Sequence, residues 1–94
     1  MELVDVIIKP LVSEKATAAQ ADGVYTFAVH EDAEKKHIKA AIESLFQVSV
    51  TDVNTINVRG KFRRRGKSYG KASNWKKALV RLKDGDKIQV FEGV

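Results

Sequence analysis

The sequence predicts an α+β domain of order β-α-β-α-β-β. It is a mainly antiparallel four-stranded sheet with helices packed on it and a long basic hairpin loop between the last two main strands. Three patterns lead there. Residues 24–30 and 77–83 alternate with period two, the signature of half-buried strands. Ile38, Ala41, Ile42, Leu45 and Phe46 recur at i, i+3, i+4, i+7 and i+8, one apolar stripe along a helix. Between Val58 and Lys77 no helical pattern intervenes. The flanking strands are therefore joined by a hairpin, which makes them antiparallel, and helices laid on such a sheet define the class.

Taken in order, Val4–Ile8 is short, apolar and β-branched, and reads as a first strand that Pro10 stops. Ser13 is placed to cap a helix, with Glu14 favourable in its first turn. The Ala-rich run EKATAAQA propagates that helix and Gly23 is its C-terminal stop. In the strand Val24–His30, Tyr25, Phe27 and Val29 point one way, Thr26 and Ala28 the other. Asp32 is the expected cap of the second helix, whose Lys35, Lys36, Lys39 and Glu43 lie off the apolar stripe. Val48 to Val58 is β-rich. Val48, Val50, Ile56 and Val58 share one face by period two, but Asp52 interrupts it, which predicts a bulge or bend there. Ala78, Val80 and Leu82 alternate with Lys77, Leu79, Arg81 and Lys83 as a fourth strand. Asp84-Gly85-Asp86 is a turn, and Ile88, Val90 and Phe91 are expected to form a short final strand.

With 94 residues, the expectation is one domain spanning 1–94, small enough that its folding margin is thin. There is no Cys, which excludes disulfides, thiolate chemistry and Cys-ligated zinc. The start MELVDVIIKP has no cationic leader before its apolar run, and no stretch approaches the ~20 apolar residues that span a bilayer. A soluble, intracellular protein without a signal peptide is expected.

Charge is distributed very unevenly. Residues 59–77, RGKFRRRGKSYGKASNWKK, hold Arg59, Lys61, Arg63, Arg64, Arg65, Lys67, Lys71, Lys76 and Lys77. These are nine of the 17 cations, with no acid among them; the other eight cations face all twelve acids, a net of −4. The +5 of the chain thus comes from nineteen residues. Such a segment repels itself until a polyanion neutralises it, so it points to nucleic acid. The loop, about 60–75, is longer than ordinary connections, and such loops are usually functional or disordered. Arg offers a planar fork to phosphate oxygens and Lys a point charge. Gly60, Gly66 and Gly70 allow close backbone approach. Phe62, Tyr69 and Trp75 are aromatics that can stack on exposed bases. Asn54, Thr55 and Asn57, on the strand leading in, can reach phosphate, ribose or base edges.

Competing chemistries are weaker. A solvated loop with no partner leaves nine cations uncompensated. DNA reading is disfavoured because no helix carries the cations in a recognition pattern, whereas a glycine-hinged arm suits folded RNA. Trp75 can equally be core at the hairpin base, with one buried face and one polar edge. His30 and His37 flank Glu31, Asp32 and Glu34, but their spacing matches no closed zinc pattern, and acids are favoured at a helix start anyway. No nucleophile–base pair and no phosphate-cradling GxxxxGK[ST] is present, so no catalytic residue, metal site or cofactor is assigned.

In order along the chain stand Ile8-Lys9-Pro10 with Val12-Ser13-Glu14-Lys15-Ala16, then Ile38-Lys39-Ala40-Ala41 through Leu45-Phe46-Gln47-Val48. Val53-Asn54-Thr55, Val58-Arg59-Gly60-Lys61, the glycine-spaced basic loop and Trp75-Lys76-Lys77-Ala78 follow. Each motif is weak alone; their order and spacing over nearly the whole chain are specific. The chain resembles the universal large-subunit ribosomal protein twenty-three family in its bacterial form. The resemblance implies a non-enzymatic, cytoplasmic constituent of the ribosome beside the polypeptide exit tunnel. Its globular part would pack on large-subunit rRNA and neighbouring ribosomal proteins, and its hairpin, with Arg63 to Lys71 as tip, would reach toward the tunnel. It also implies a platform for trigger factor, signal recognition particle and the translocon, without embedding in the membrane. The family's chaperone-contacting Glu maps onto Glu14. Some relatives carry a second acid after the helix-ending Phe; this chain has Gln47 there, so Glu14 would carry more of the electrostatics. The expected rRNA contacts are Lys9, Lys15, Asn54, Thr55, Asn57, Arg59, Lys61, Arg63, Arg64, Arg65, Lys67, Tyr69, Lys71, Trp75, Lys76 and Lys77. A free-standing RNA-binding or regulatory module of the same fold is the alternative.

Overall fold

The computed structural model describes residues 2–60, 62–65, 68–71 and 74–88, with 62–65 and 68–71 described as backbone. The elements are α1 (Leu3–Val6), β1 (Ile7–Pro10), α2 (Glu14–Gln20), β2 (Val24–Val29), α3 (Lys35–Phe46), β3 (Val50–Val58), β4 (Phe62–Arg65), β5 (Ser68–Lys71) and β6 (Trp75–Leu82). A four-stranded sheet runs in the order β1-β2-β6-β3, and a separate two-stranded ribbon is formed by β4 and β5. Each strand pair is antiparallel. The predicted α+β class and its main strand order are observed, with α1 and the ribbon added.

Period-two alternation explains the central strands. Tyr25, Phe27 and Val29 of β2 stand opposite Val80, Ala78 and Lys76 of β6, so they share a face. That face packs on α3 through Ile38, Ala41 and Ile42, all fully buried. Val6, Ala33, Val50, Val53, Leu82 and Ile88 complete this core. The far end of the α3 stripe is only partly covered: Leu45 and Phe46 are 49% and 37% exposed, and Phe46 lies against Phe27 with ring centroids 5.9 Å apart.

Four local expectations need correction. Val4–Ile8 is not one strand: a helical turn closed by Asp5 N–H to the Glu2 carbonyl aims Val6 into the core before β1 begins. Pro10 ends β1 from inside it, which an edge strand tolerates because one row of its backbone groups faces away from the sheet. Asp32 does not cap α3. Glu34 does, in a reciprocal capping box with His37, whose Nδ1 accepts from the Glu34 N–H at 3.1 Å. The Asp32 N–H instead donates to His30 Nδ1 at 3.0 Å.

The fourth correction follows from the bulge expected near Asp52. Leu82 pairs with Val50 and Val80 with Val53, so β3 spends three residues where β6 spends two. The extra residue reverses the alternation. Val50 and Val53 both enter the core, and Ile56 and Val58 turn to the opposite face instead of sharing one with Val50. The Asp84-Gly85-Asp86 turn forms, with the Asp86 N–H on the Lys83 carbonyl and Gly85 at φ +91°. Ile88 is buried but not in a strand; Val90 and Phe91 lie outside the described residues.

Candidate nucleic-acid interface

Two faces of one sheet sort the candidate residues. On the face away from α3 stand Lys9, opposite Ala28, and Lys77, opposite Ala28 and Ile56. Asn54 and Leu79 pair on this same face, as do Val58 and Trp75. The helix α2 lies against it beside β2 and brings Lys15 there. Ser13 fixes the start of α2: its Oγ accepts from the Ala16 N–H at 3.1 Å, which removes one unpaired helix-end donor. Ala16 is buried, while Glu14 and Lys15 remain exposed.

Thr55, Asn57 and Lys76 belong to the α3 side. Thr55 pairs with buried Ala78, and Asn57 with Lys76. Lys76 is half-buried and its Nζ donates to the Ala33 carbonyl at 2.8 Å, pinning β6 to the turn before α3. One of its three donors is therefore spent inside the fold, which separates it from neighbouring Lys77.

The root of the basic arm is clamped by a residue that composition did not single out. Asn74 Oδ1 accepts from the Gly60 N–H at 2.8 Å, closing the chain across the arm's two ends. Arg59, Asn74 and Trp75 border a cleft of about 340 Å³ there, with Asn57, Glu31 and Asp32 also on its lining. Beyond the root, the arm is a two-stranded ribbon whose pairs run from Phe62–Lys71 through Arg63–Gly70 and Arg64–Tyr69 to Arg65–Ser68. Arg63, Arg64, Arg65, Tyr69 and Lys71 thus sit on paired backbone, not on an irregular loop. Lys61 and Lys67 lie outside the described residues.

Among the described residues no ion pair involves Lys9, Lys15, Arg59 or Lys77, whereas Lys76 is held by the Ala33 carbonyl. Among the described residues the one Lys or Arg ion pair is Lys36–Glu34, near the start of α3. The two histidines that flank the acids act as backbone acceptors, as seen above, and among the described residues no group of three or more His, Cys, Asp or Glu could hold a metal ion. No helix among them is long and apolar enough to cross a membrane. What the arrangement offers is phosphate-binding charge on a regular scaffold, next to amide groups and an aromatic edge.

Comparison with known proteins agrees in one direction. The family model described as ribosomal protein L23 matches residues 5–90. The large ribosomal subunit protein uL23 of Symbiobacterium thermophilum is 55% identical over 94 residues, covering all of both chains. Those of Geobacter sulfurreducens and Roseiflexus castenholzii are 53% and 52% identical, over 98% and 94% of this chain and 99% and 94% of their own.

Proposed function

The chain belongs to the ribosomal protein L23 family, and from that premise we propose that it holds large-subunit rRNA with its basic arm and the α2-bearing sheet face, leaving Glu14 free for factors at the tunnel exit. It is a structural, non-enzymatic constituent of the large ribosomal subunit in the cytoplasm. The observation that carries the finer reading is the segregation of charge onto a ribbon built apart from the main sheet. A folded body of net −4 needs no such appendage for its core; a phosphate backbone does. Lys9, Lys15, Asn54, Lys77 and Trp75 extend the RNA surface from the ribbon root across the sheet, and Thr55, Asn57, Arg59 and Lys76 flank that root. Neighbouring ribosomal proteins border it, and trigger factor, signal recognition particle and the translocon are the partners assigned to the Glu14 side.

The test is the salt dependence of rRNA binding. Each phosphate contacted releases counterions, so log affinity against log salt should fall with a slope of about −0.7 to −0.9 per contact. Replacing Arg63, Arg64 and Arg65 together with Ala should flatten that slope by roughly two to three units. An unchanged slope removes the arm from the interface.

A further inference from the structure

On the sheet face away from α3, α2 covers only part of the surface, and a groove of about 240 Å³ remains beside it. Ala16 forms part of one wall, Ile56 and Leu79 are on its lining, and Lys15, Lys77 and Trp75 border it. Ile56 and Trp75 are 44% and 38% exposed, although both are large and apolar. The bulge in β3 puts Ile56 here: without the extra residue it would have followed Val50 to the other face. Among the described residues the lining contains two cations and no acid, in contrast to the cleft at the arm root, which contains Glu31 and Asp32.

We infer that this groove seats one unstacked nucleotide of the rRNA, its base against the Trp75 indole over Ile56 and Leu79, and its flanking phosphates on Lys15 and Lys77. The inference rests on the rRNA reading above and adds a single-nucleotide subsite to it. An exposed apolar floor calls for a flat, poorly hydrated occupant, and any base has a π-face to give an aromatic side chain. Cations from two elements, α2 and β6, with no acid among them, call for that occupant to be anionic at its edges. Trp75 begins β6 where the arm returns to the body, so RNA tracked by the arm continues into the groove without leaving the protein. A protein helix would satisfy the floor but not the unbalanced cations.

Trp75 is the sole tryptophan, so its fluorescence reports on the groove and on the adjoining arm-root cleft that it also borders, and the Ile56 variant separates the two. The full chain is titrated with a transcript of its own large-subunit rRNA. Stacking should quench Trp75 emission. Trp75→Ala should weaken binding about tenfold at every salt concentration while leaving the salt slope unchanged, since no phosphate contact is lost. Lys77→Gln should instead reduce the slope by about one. Ile56→Glu, at an exposed position, places an acid on the groove floor and should weaken binding even if Trp75→Ala does not fold. Unquenched Trp75 together with wild-type affinity in Trp75→Ala and Ile56→Glu overturns the subsite, leaves the arm reading standing if the steep slope persists, and gives the groove to a protein partner. Absence of rRNA binding by the wild type overturns both.

Discussion

At the scale of single residues, a local folding rule and the proposed docking role meet at Glu14. It is the first residue of α2, directly after the Ser13 cap, where a negative charge also favours the helix dipole. Being exposed, it has no role in the core. Glu14→Gln keeps the shape and removes the charge, at a cost of at most about 1 kcal/mol in helix stability. On intact ribosomes it should weaken trigger-factor co-sedimentation while the mutant chain still enters large subunits in normal amount. Equal chaperone binding by the two ribosome populations would remove Glu14 from the docking site. Ser13→Ala is the structural control: loss of the cap should lower stability by about 1 kcal/mol with the Glu14 charge intact. Gln47, at the site of the missing second acid, is held in the left-handed region at φ 53° as the C-cap of α3. Its backbone conformation serves helix termination whatever its side chain meets.

At the scale of elements, the bulge in β3 decides which side chains reach the sheet face away from α3. Its location was legible, because Asp52 breaks an otherwise apolar alternation and a charged residue cannot occupy a core position unpaired. Its consequence was not, because period-two counting carries straight through a bulge unless the register of the partner strand is known. Deleting Thr51 should restore a continuous ladder and force either Val50 out of the core or Ile56 into it. Loss of one buried valine and of the Val50 N–H bond to Glu43 Oε2, 3.0 Å in the native chain, should cost roughly 2–4 kcal/mol, read by urea unfolding. A deletion variant as stable as wild type would mean that the register does not hold the core. The stripe of α3 was legible for a similar reason, since Ile38, Ala41 and Ile42 obey one period without interruption. The cap of α3 was misread because Asp32 satisfies the N-cap residue preference and Glu34 does not; the reciprocal hydrogen bonds with His37 select Glu34 against that preference. The arm was legible as charge but not as a ribbon. Its strands are polar, and the Gly66-Lys67 pair, a two-residue hairpin signal, is easily lost among three glycines.

At the scale of the whole molecule, the described core and the excess of cations reside in different parts of the chain. Among the described residues, every member of the hydrophobic core cluster lies outside residues 59–77. The body closes across the arm root by the Gly60–Asn74 hydrogen bond and the β3–β6 ladder up to Val58 and Trp75. Replacing residues 61–73 with two glycines should therefore leave the core intact. The thermal midpoint is expected to stay within about 4 °C, since no member of the described core is removed and surface changes rarely exceed about 0.5 kcal/mol. The same excision removes six cations and no acid, taking the formal charge from +5 to −1. Binding to rRNA should weaken most at low salt, with the slope falling by roughly four to five units if each cation meets a phosphate. A variant that unfolds would show that the ribbon stabilises the body; one that folds and binds with the original slope would place the phosphate contacts on the sheet face alone. A body of net −1 that folds but binds rRNA weakly, with a flattened salt slope, is the outcome that a separable cationic arm requires.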